Sequence, residues 1–181
     1  MACRLTAADA PAEIRAALDM VAYSEIGPTT LKQSDDGYNV LVGSVPGRVI
    51  TFGDYSKHPH IYNRAEDSTA AGRYQMIWPT WNAVRVRLKL PDFSPRSQDL
   101  ACVELIRARL ATPDFMSGNI ASAIAKCKRE WASFPGAGYN QPERRANELI
   151  DAYHAALRAY KKIDFSNVEA GVVTTAPQQG E

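Results

Sequence analysis

Apolar positions along this chain follow two helical regimes separated by a stretch with neither period. Between Glu13 and Glu25, Ile14, Leu18 and Val21 recur at the three-to-four-residue spacing of one helix face. Continued four residues past Val21, the same stripe arrives at Glu25. Gly27-Pro28 then halts the pattern, which puts Glu25 in the last turn of a helix over about 11–25. Residues 27–64 are rich in Gly, Pro, Asp and Ser. Within them Asp35-Asp36-Gly37 and Gly43 to Gly47 read as turns, and Tyr38–Val42 and Val49–Phe52 as the strands of a small hairpin.

Helical spacing returns from about residue 68. Trp81, Val84 and Leu88 form one stripe after Pro79. Ser94-Pro95 has the character of an N-cap and first-turn proline, opening a helix through Val103, Ile106 and Leu110. Ile120, Ile124, Cys127 and Trp131 make a third stripe, and Asn140 to Glu143 resembles a capping box opening a last helix through Leu149, Tyr153, Leu157 and Tyr160. The pattern predicts an α+β fold, mostly helical, with a small antiparallel hairpin sheet on one side of a cleft. One domain spans 1–163, with a β lobe over about 35–64 and a helical lobe over about 69–162. Residues 164–181 carry no period and read as a flexible tail.

Composition narrows the function classes. A formal net charge of +1 gives no case for nucleic acid or an anionic membrane surface. Cys3, Cys102 and Cys127 are widely spaced and only three His are present, so no zinc cluster or other metal site is expected, and the thiols read as free. The first ten residues hold no signal-peptide core, and no apolar run approaches membrane-spanning length. No cofactor motif is visible.

The chemistry concentrates at Glu25. A carboxylate at the carbonyl end of a helix, partly withdrawn from water, is pushed toward its protonated form, which is what a general acid needs. The plainer alternative is an exposed Glu on a frayed helix end. A Glu-ended helix, a hairpin sheet and a helical lobe describe a groove between unlike lobes, suited to an extended polymer.

Several co-linear motifs then carry a resemblance. They are Ala17 to Glu25, Gly37-Tyr38, Asp54 to Pro59, Ser68-Thr-Ala-Ala-Gly-Arg-Tyr-Gln75, Asp92 to Asp99 and Trp131-Ala-Ser-Phe-Pro-Gly-Ala-Gly-Tyr139. Together, over about 16–158, they resemble the lambda-type phage endolysins, lysozyme-fold lytic transglycosylases of the bacterial cell wall. The resemblance implies that Glu25 is the catalytic acid, that Gln75 hydrogen-bonds the sugar, and that Tyr74 lines the cleft or packs beneath it. Tyr139, in a loop, would stack on a sugar, and Gln141 would donate to an N-acetyl group. Ser68, a ligand or a helix cap, joins Asn39 and Asp54 as further substrate-binding candidates. Arg73, in the same motif, has a structural ion-pair role as its alternative reading and is not counted among the site residues.

Two positions depart from the family pattern. Ala70 stands where a glycine is usual, and Asn39 where an acidic residue follows Gly-Tyr, so one candidate second carboxylate is missing. The implied reaction cleaves the bond between N-acetylmuramic acid and N-acetylglucosamine with formation of a 1,6-anhydro sugar. A hydrolytic muramidase using Asp54, or a non-catalytic glycan-binding protein of the same fold, are the alternatives. The partners implied are peptidoglycan glycan strands and a holin-type export partner. The chain would be a monomer made in the host cytoplasm and acting on the periplasmic wall.

Overall fold

The computed structural model describes residues 2–139 and 142–169, the last seven of these as helix backbone. Its centre is helix α1 (Ala12–Glu25), in which ten of fourteen residues are buried, so the one-sided stripe of the sequence understates how enclosed it is. Ala16, Ala17 and Ala22 are fully covered, and their small side chains let neighbours approach on faces that carry no large apolar group. Helix α7 (Ala146–Glu169) packs along α1 more extensively than any other element. It continues beyond the domain boundary expected at 163; residues 170–181 lie outside the described residues.

Between them come α2 (Pro28–Lys32), α3 (Trp78–Leu88), α4 (Pro95–Ala108), α5 (Thr112–Ser117) and α6 (Ile120–Cys127). Ser94 caps α4 with Pro95 in its first turn, as its sequence predicts. Two short helices, α2 and α5, escape a periodicity reading because five or six residues hold too few apolar positions to show a period. Helical structure also resumes at Trp78, ten residues later than the apolar spacing suggests, because 68–77 is a run of turns. Trp131 falls after α6, in a turn, yet stays buried and donates its indole N–H to the Tyr74 carbonyl at 3.3 Å. Glu143 does not cap α7; its carboxylate accepts from the amides of Gly136 and Gly138 and ties down the preceding loop.

The β region is correct in its pairing and smaller than expected in extent. Leu41 N–H donates to Ile50 O and Phe52 N–H to Asn39 O, the antiparallel hairpin of the sequence, closed by a Val45–Arg48 bridge. A third segment joins through Val42 N–H to Ala70 O and Gly72 N–H to Val40 O. Among the described residues these remain isolated bridges, because the chain reverses every few residues and never runs extended long enough for a ladder. At one reversal, Gly72 has φ +79° and a Cβ there would sit 2.2 Å from Gln98 Oε1, so only glycine fits.

A buried polar network fastens this region to the helices. Arg73, wholly buried, donates to Asp19 of α1 at 2.7 Å, donates to the Asp36 carbonyl, and lies over the Tyr38 ring. Asp19 also accepts from Tyr160 Oη of α7 at 2.8 Å and from the Cys3 amide at 2.9 Å. Asp99 of α4 accepts from the hydroxyls of Tyr38 and Tyr74 and from the Arg4 amide, at 2.8, 2.6 and 2.6 Å. Gln98 beside it donates to the carbonyls of Tyr38 and Phe93 and accepts from the Arg73 amide. All three thiols are free and buried, as the spacing implied.

Removing Arg73 would strand Asp19 without its cation in a dry setting. Arg73→Ala is therefore expected to lower stability by about 3–5 kcal/mol, measured as a reduced urea midpoint with an unchanged slope.

Candidate functional site

Helix α1 ends against the groove between the turn-rich region and the helical lobe. Glu25, its last residue, lies on the wall of a cleft of ≈ 400 Å³. The floor is Tyr74 to Ile77; the upper side comes from residues 40–44 and from Glu66, Ser68 and Ala70. Arg129 to Ala132 and Tyr139 close the lower side.

Of the residues singled out by sequence, Glu25, Ser68, Tyr74, Gln75 and Tyr139 are brought together on this cleft. Tyr74 is wholly buried with its hydroxyl spent on Asp99, so it supports the floor from beneath. Gln75 holds a left-handed backbone at φ +45°, a conformation costing a non-glycine residue about 1 kcal/mol. Its amide nitrogen donates to the carbonyls of Gly72 at 2.8 Å and Val40 at 3.4 Å, leaving the side-chain oxygen as the acceptor a sugar hydroxyl can meet. Strain held at a cleft by the surrounding fold is a mark of functional sites. Ser68 is no helix cap; it closes the turn bridging Asn63 and Ser68, and its hydroxyl accepts from the Ala70 amide just beyond that turn. Tyr139 is 52% exposed and anchored through its hydroxyl to the Arg129 carbonyl at 3.1 Å, which leaves a ring face open to the groove.

Asn39 and Asp54 lie outside the cleft lining. Asn39 Oδ1 accepts from the Asp35 amide, closing the 35–39 turn. Asp54 is exposed and takes the amide and hydroxyl of Ser56, which hold its carboxyl below the ordinary range. A short polar side chain at such a turn is used by its own backbone. Asp35 pairs with Arg4 and accepts from Tyr55 Oη, again away from the groove. The remaining cleft carboxylates are Glu130, which is paired with Arg109 at 2.5 Å, and the exposed Glu66. Gln141 lies outside the described residues. No cluster of three or more potential metal ligands occurs among the described residues.

Three participants are invisible to sequence periodicity. Ser133, in the turn after Trp131, donates its hydroxyl to Glu25 Oε1 at 2.5 Å. Ser24, on α1, lies 2.6 Å from the same hydroxyl. Arg144 reads as solvated charge in the sequence, yet it is half-buried over the Tyr23 ring and reaches the Ser24 carbonyl at 3.4 Å. Ser133 and Arg144 stand more than a hundred residues from Glu25, so no local spacing signals them. Thr30 also lines the cleft with its buried hydroxyl lacking a protein partner.

Burial pushes the Glu25 carboxyl up to about 7, against the Ser133 hydrogen bonds and the Arg144 charge, which pull it down. Such a group is protonated at the start of a reaction near neutral pH and can ionise during it. The linkage has a definite sign. The folded protein binds this proton more tightly than the unfolded chain, so the contribution is full below about 4.5 and is lost as pH rises through about 7. Glu25→Gln removes that dependence. It is expected to be more stable than the parent protein at pH well above 7 by about 2–3 kcal/mol, with the difference vanishing below about 4.5. Paired urea titrations across this range measure it.

Known proteins resemble this chain over most of its length. Residues 15–159 match the sequence model of the endolysin family. The endolysin of Escherichia phage P2 is 42% identical over 151 residues, covering 79% of this chain and 92% of its own. That of Escherichia phage lambda is 43% identical over 155 residues, covering 83% and 94%. The lysozyme of bacteriophage lambda complexed with a chitohexasaccharide superposes with a TM-score of 0.72 at 41% identity, over 80% of this chain and 94% of that one. By sequence over most of its length and by fold, the chain belongs to the endolysin family.

Proposed function

We propose that this endolysin degrades peptidoglycan by cleaving the bond between N-acetylmuramic acid and N-acetylglucosamine, with Glu25 as acid and then base, to leave a 1,6-anhydromuramic end. One observation carries the reading: a half-buried carboxyl titrating near 7 lies on the wall of an open cleft, with Asp35 and Asp54 both engaged outside it. The lambda lysozyme complexed with a chitohexasaccharide supports a glycan as the class of ligand.

The sequence of events follows from these groups. A glycan strand lies along the groove with one sugar over Tyr139 and hydroxyls toward Gln75 and Ser68. Protonated Glu25 gives its proton to the glycosidic oxygen, and the C1–O bond breaks as positive charge develops at the muramic ring. The sugar's own 2-acetamido group stabilises that charge. Glu25, now an anion, takes the proton of the muramic 6-hydroxyl while its oxygen bonds to C1. The proton lost in the first step is regained in the second, and water is not consumed. A single carboxyl serves both steps, and the muramic 6-hydroxyl is the nucleophile, so the protein need supply neither a nucleophile nor a second base.

A hydrolytic course is the second reading; because Asp54 lies outside the cleft lining and Glu66 within it, the candidate carboxylate for that course is Glu66 rather than Asp54. Among the described residues Glu66 lines the cleft without an ion pair. No helix among the described residues is long and apolar enough to cross a membrane. In this reading a monomer reaches the periplasmic wall from the host cytoplasm through a lesion made by a holin-type protein.

Glu25→Gln is expected to reduce lysis of outer-membrane-permeabilised Gram-negative cells by at least about a thousandfold, in line with losing a principal acid–base group; substantial residual lysis refutes the assignment. Mass spectrometry of digested peptidoglycan is expected to show anhydro termini. Reducing ends one water heavier, abolished by Glu66→Gln, would establish hydrolysis instead.

A further inference from the structure

We infer that Ser133, held by Ser24, is a positioning residue that keeps one oxygen of Glu25 an acceptor throughout the reaction, so that the catalytic proton is exchanged from the other. The inference rests on Glu25 being the acid and base proposed above.

With Glu25 Oε1 as the acceptor, the contacts give one proton order. Ser133 Oγ donates to Glu25 Oε1 at 2.5 Å, and a hydroxyl has only one proton to give. The 2.6 Å contact between Ser133 and Ser24 must then be a donation from Ser24 to Ser133. The chain runs Ser24 to Ser133 to Glu25. Ser24 precedes Glu25 on the buried face of α1, so the helix carrying the acid also orients the hydroxyl that addresses it. The Ser133 backbone amide faces the same carboxylate. With Oε1 occupied from this side, protonation of Glu25 falls on Oε2.

This arrangement matters because burial alone favours only half of the cycle. A desolvated carboxyl with no donors is a willing acid and an ineffective base, since its anion has nothing to stabilise it. Ser133 is the largest opposing influence on Glu25, and its bond strengthens as the anion forms. The other charges around the carboxyl come from elsewhere. Arg144, from the segment before α7, favours the anion. Glu66 stands on the upper wall, and Arg129 with the Arg109-paired Glu130 on the lower wall. The Arg144 amide donates to the Ser133 carbonyl at 2.8 Å, a backbone contact that a Ser133→Ala side-chain change leaves in place.

The test compares Ser133→Ala, Ser133→Thr and Ser24→Ala in the full chain. Two readouts are taken: kcat and KM on purified peptidoglycan across neutral pH, and the carboxyl carbon of Glu25 titrated by NMR. For Ser133→Ala, kcat is expected to fall roughly ten- to hundredfold, the loss of one hydrogen bond to a charged group. KM should hold within about twofold, and both the pH–kcat profile and the Glu25 titration should move to higher pH. Ser24→Ala should move both the same way by less, and Ser133→Thr should restore them. A Ser133→Ala titration superimposing on the parent's overturns the inference, as does a loss confined to KM. Glu25→Gln keeps the two readings apart. If that variant still lyses cells, the acid assignment fails and takes this inference with it. If it is inactive while Ser133→Ala leaves the titration unmoved, only the role of Ser133 fails.

Discussion

Enclosure of α1 is the constraint from which the rest of the structure follows. A helix covered on nearly every side must find internal partners for each polar group it carries, because an unpaired buried charge costs several kcal/mol. The chain meets that demand in a different way at each turn. Arg15 donates to the Ala10 carbonyl and lies over the Tyr160 ring. Asp19 receives Arg73, Tyr160 and the Cys3 amide. Ser24 joins Ser133. Glu25, at the end, is only partly compensated, with Ser133 in contact and Arg144 contributing at a distance. The upward shift of its carboxyl is what remains of a penalty that the fold offsets at Arg15, Asp19 and Ser24.

The same partners hold the two walls of the cleft in register. Burial raises the carboxyl of Asp19, and Arg73 opposes that rise from the turn-rich side. Arg73 is held in turn by Gln98, whose oxygen accepts its backbone amide. Gln98 and Asp99 are consecutive residues of α4, and between them they receive or address Tyr38, Tyr74, Phe93 and Arg4. A region with only isolated β-bridges has little rigidity of its own. Its fixed position comes from these buried side chains, which place Gln75 on the floor facing the end of α1. Gly72 is the position in this turn where a Cβ cannot fit against Gln98 and Phe93.

What the sequence reveals and conceals divides along the same line. The extent of α1, the cap and proline of α4, and the hairpin register are local, set by spacing and turn chemistry within a few residues. Glu25 is legible for that reason, since its stripe and its stop signal lie within ten residues of it. The groups that tune it are not. Ser133 and Arg144 reach the carboxyl only after α7 has packed along α1, and a serine in a turn carries no mark of its partner. Asn39 stands at the family position after Gly-Tyr, and Asp54 is a candidate second carboxylate. Their side chains serve their own turns, a competition that local sequence sets up but does not resolve.

In the reaction proposed for it, a single carboxyl acting in both directions must sit where neither protonation state dominates. Deep burial without donors favours the protonated form, and the Ser56 amide and hydroxyl bonded to exposed Asp54 favour its ionised form. Glu25 is placed between these limits by opposing contributions from different parts of the chain: desolvation by the packed end of α1, and hydrogen bonds from a loop that arrives more than a hundred residues later. The balance is a property of how the lobes meet, and it holds only while the lobes keep their register. Integrity of the buried Asp19–Arg73 pair, two turns down the same helix, is therefore a condition for the acidity of Glu25 as well as for the stability of the fold.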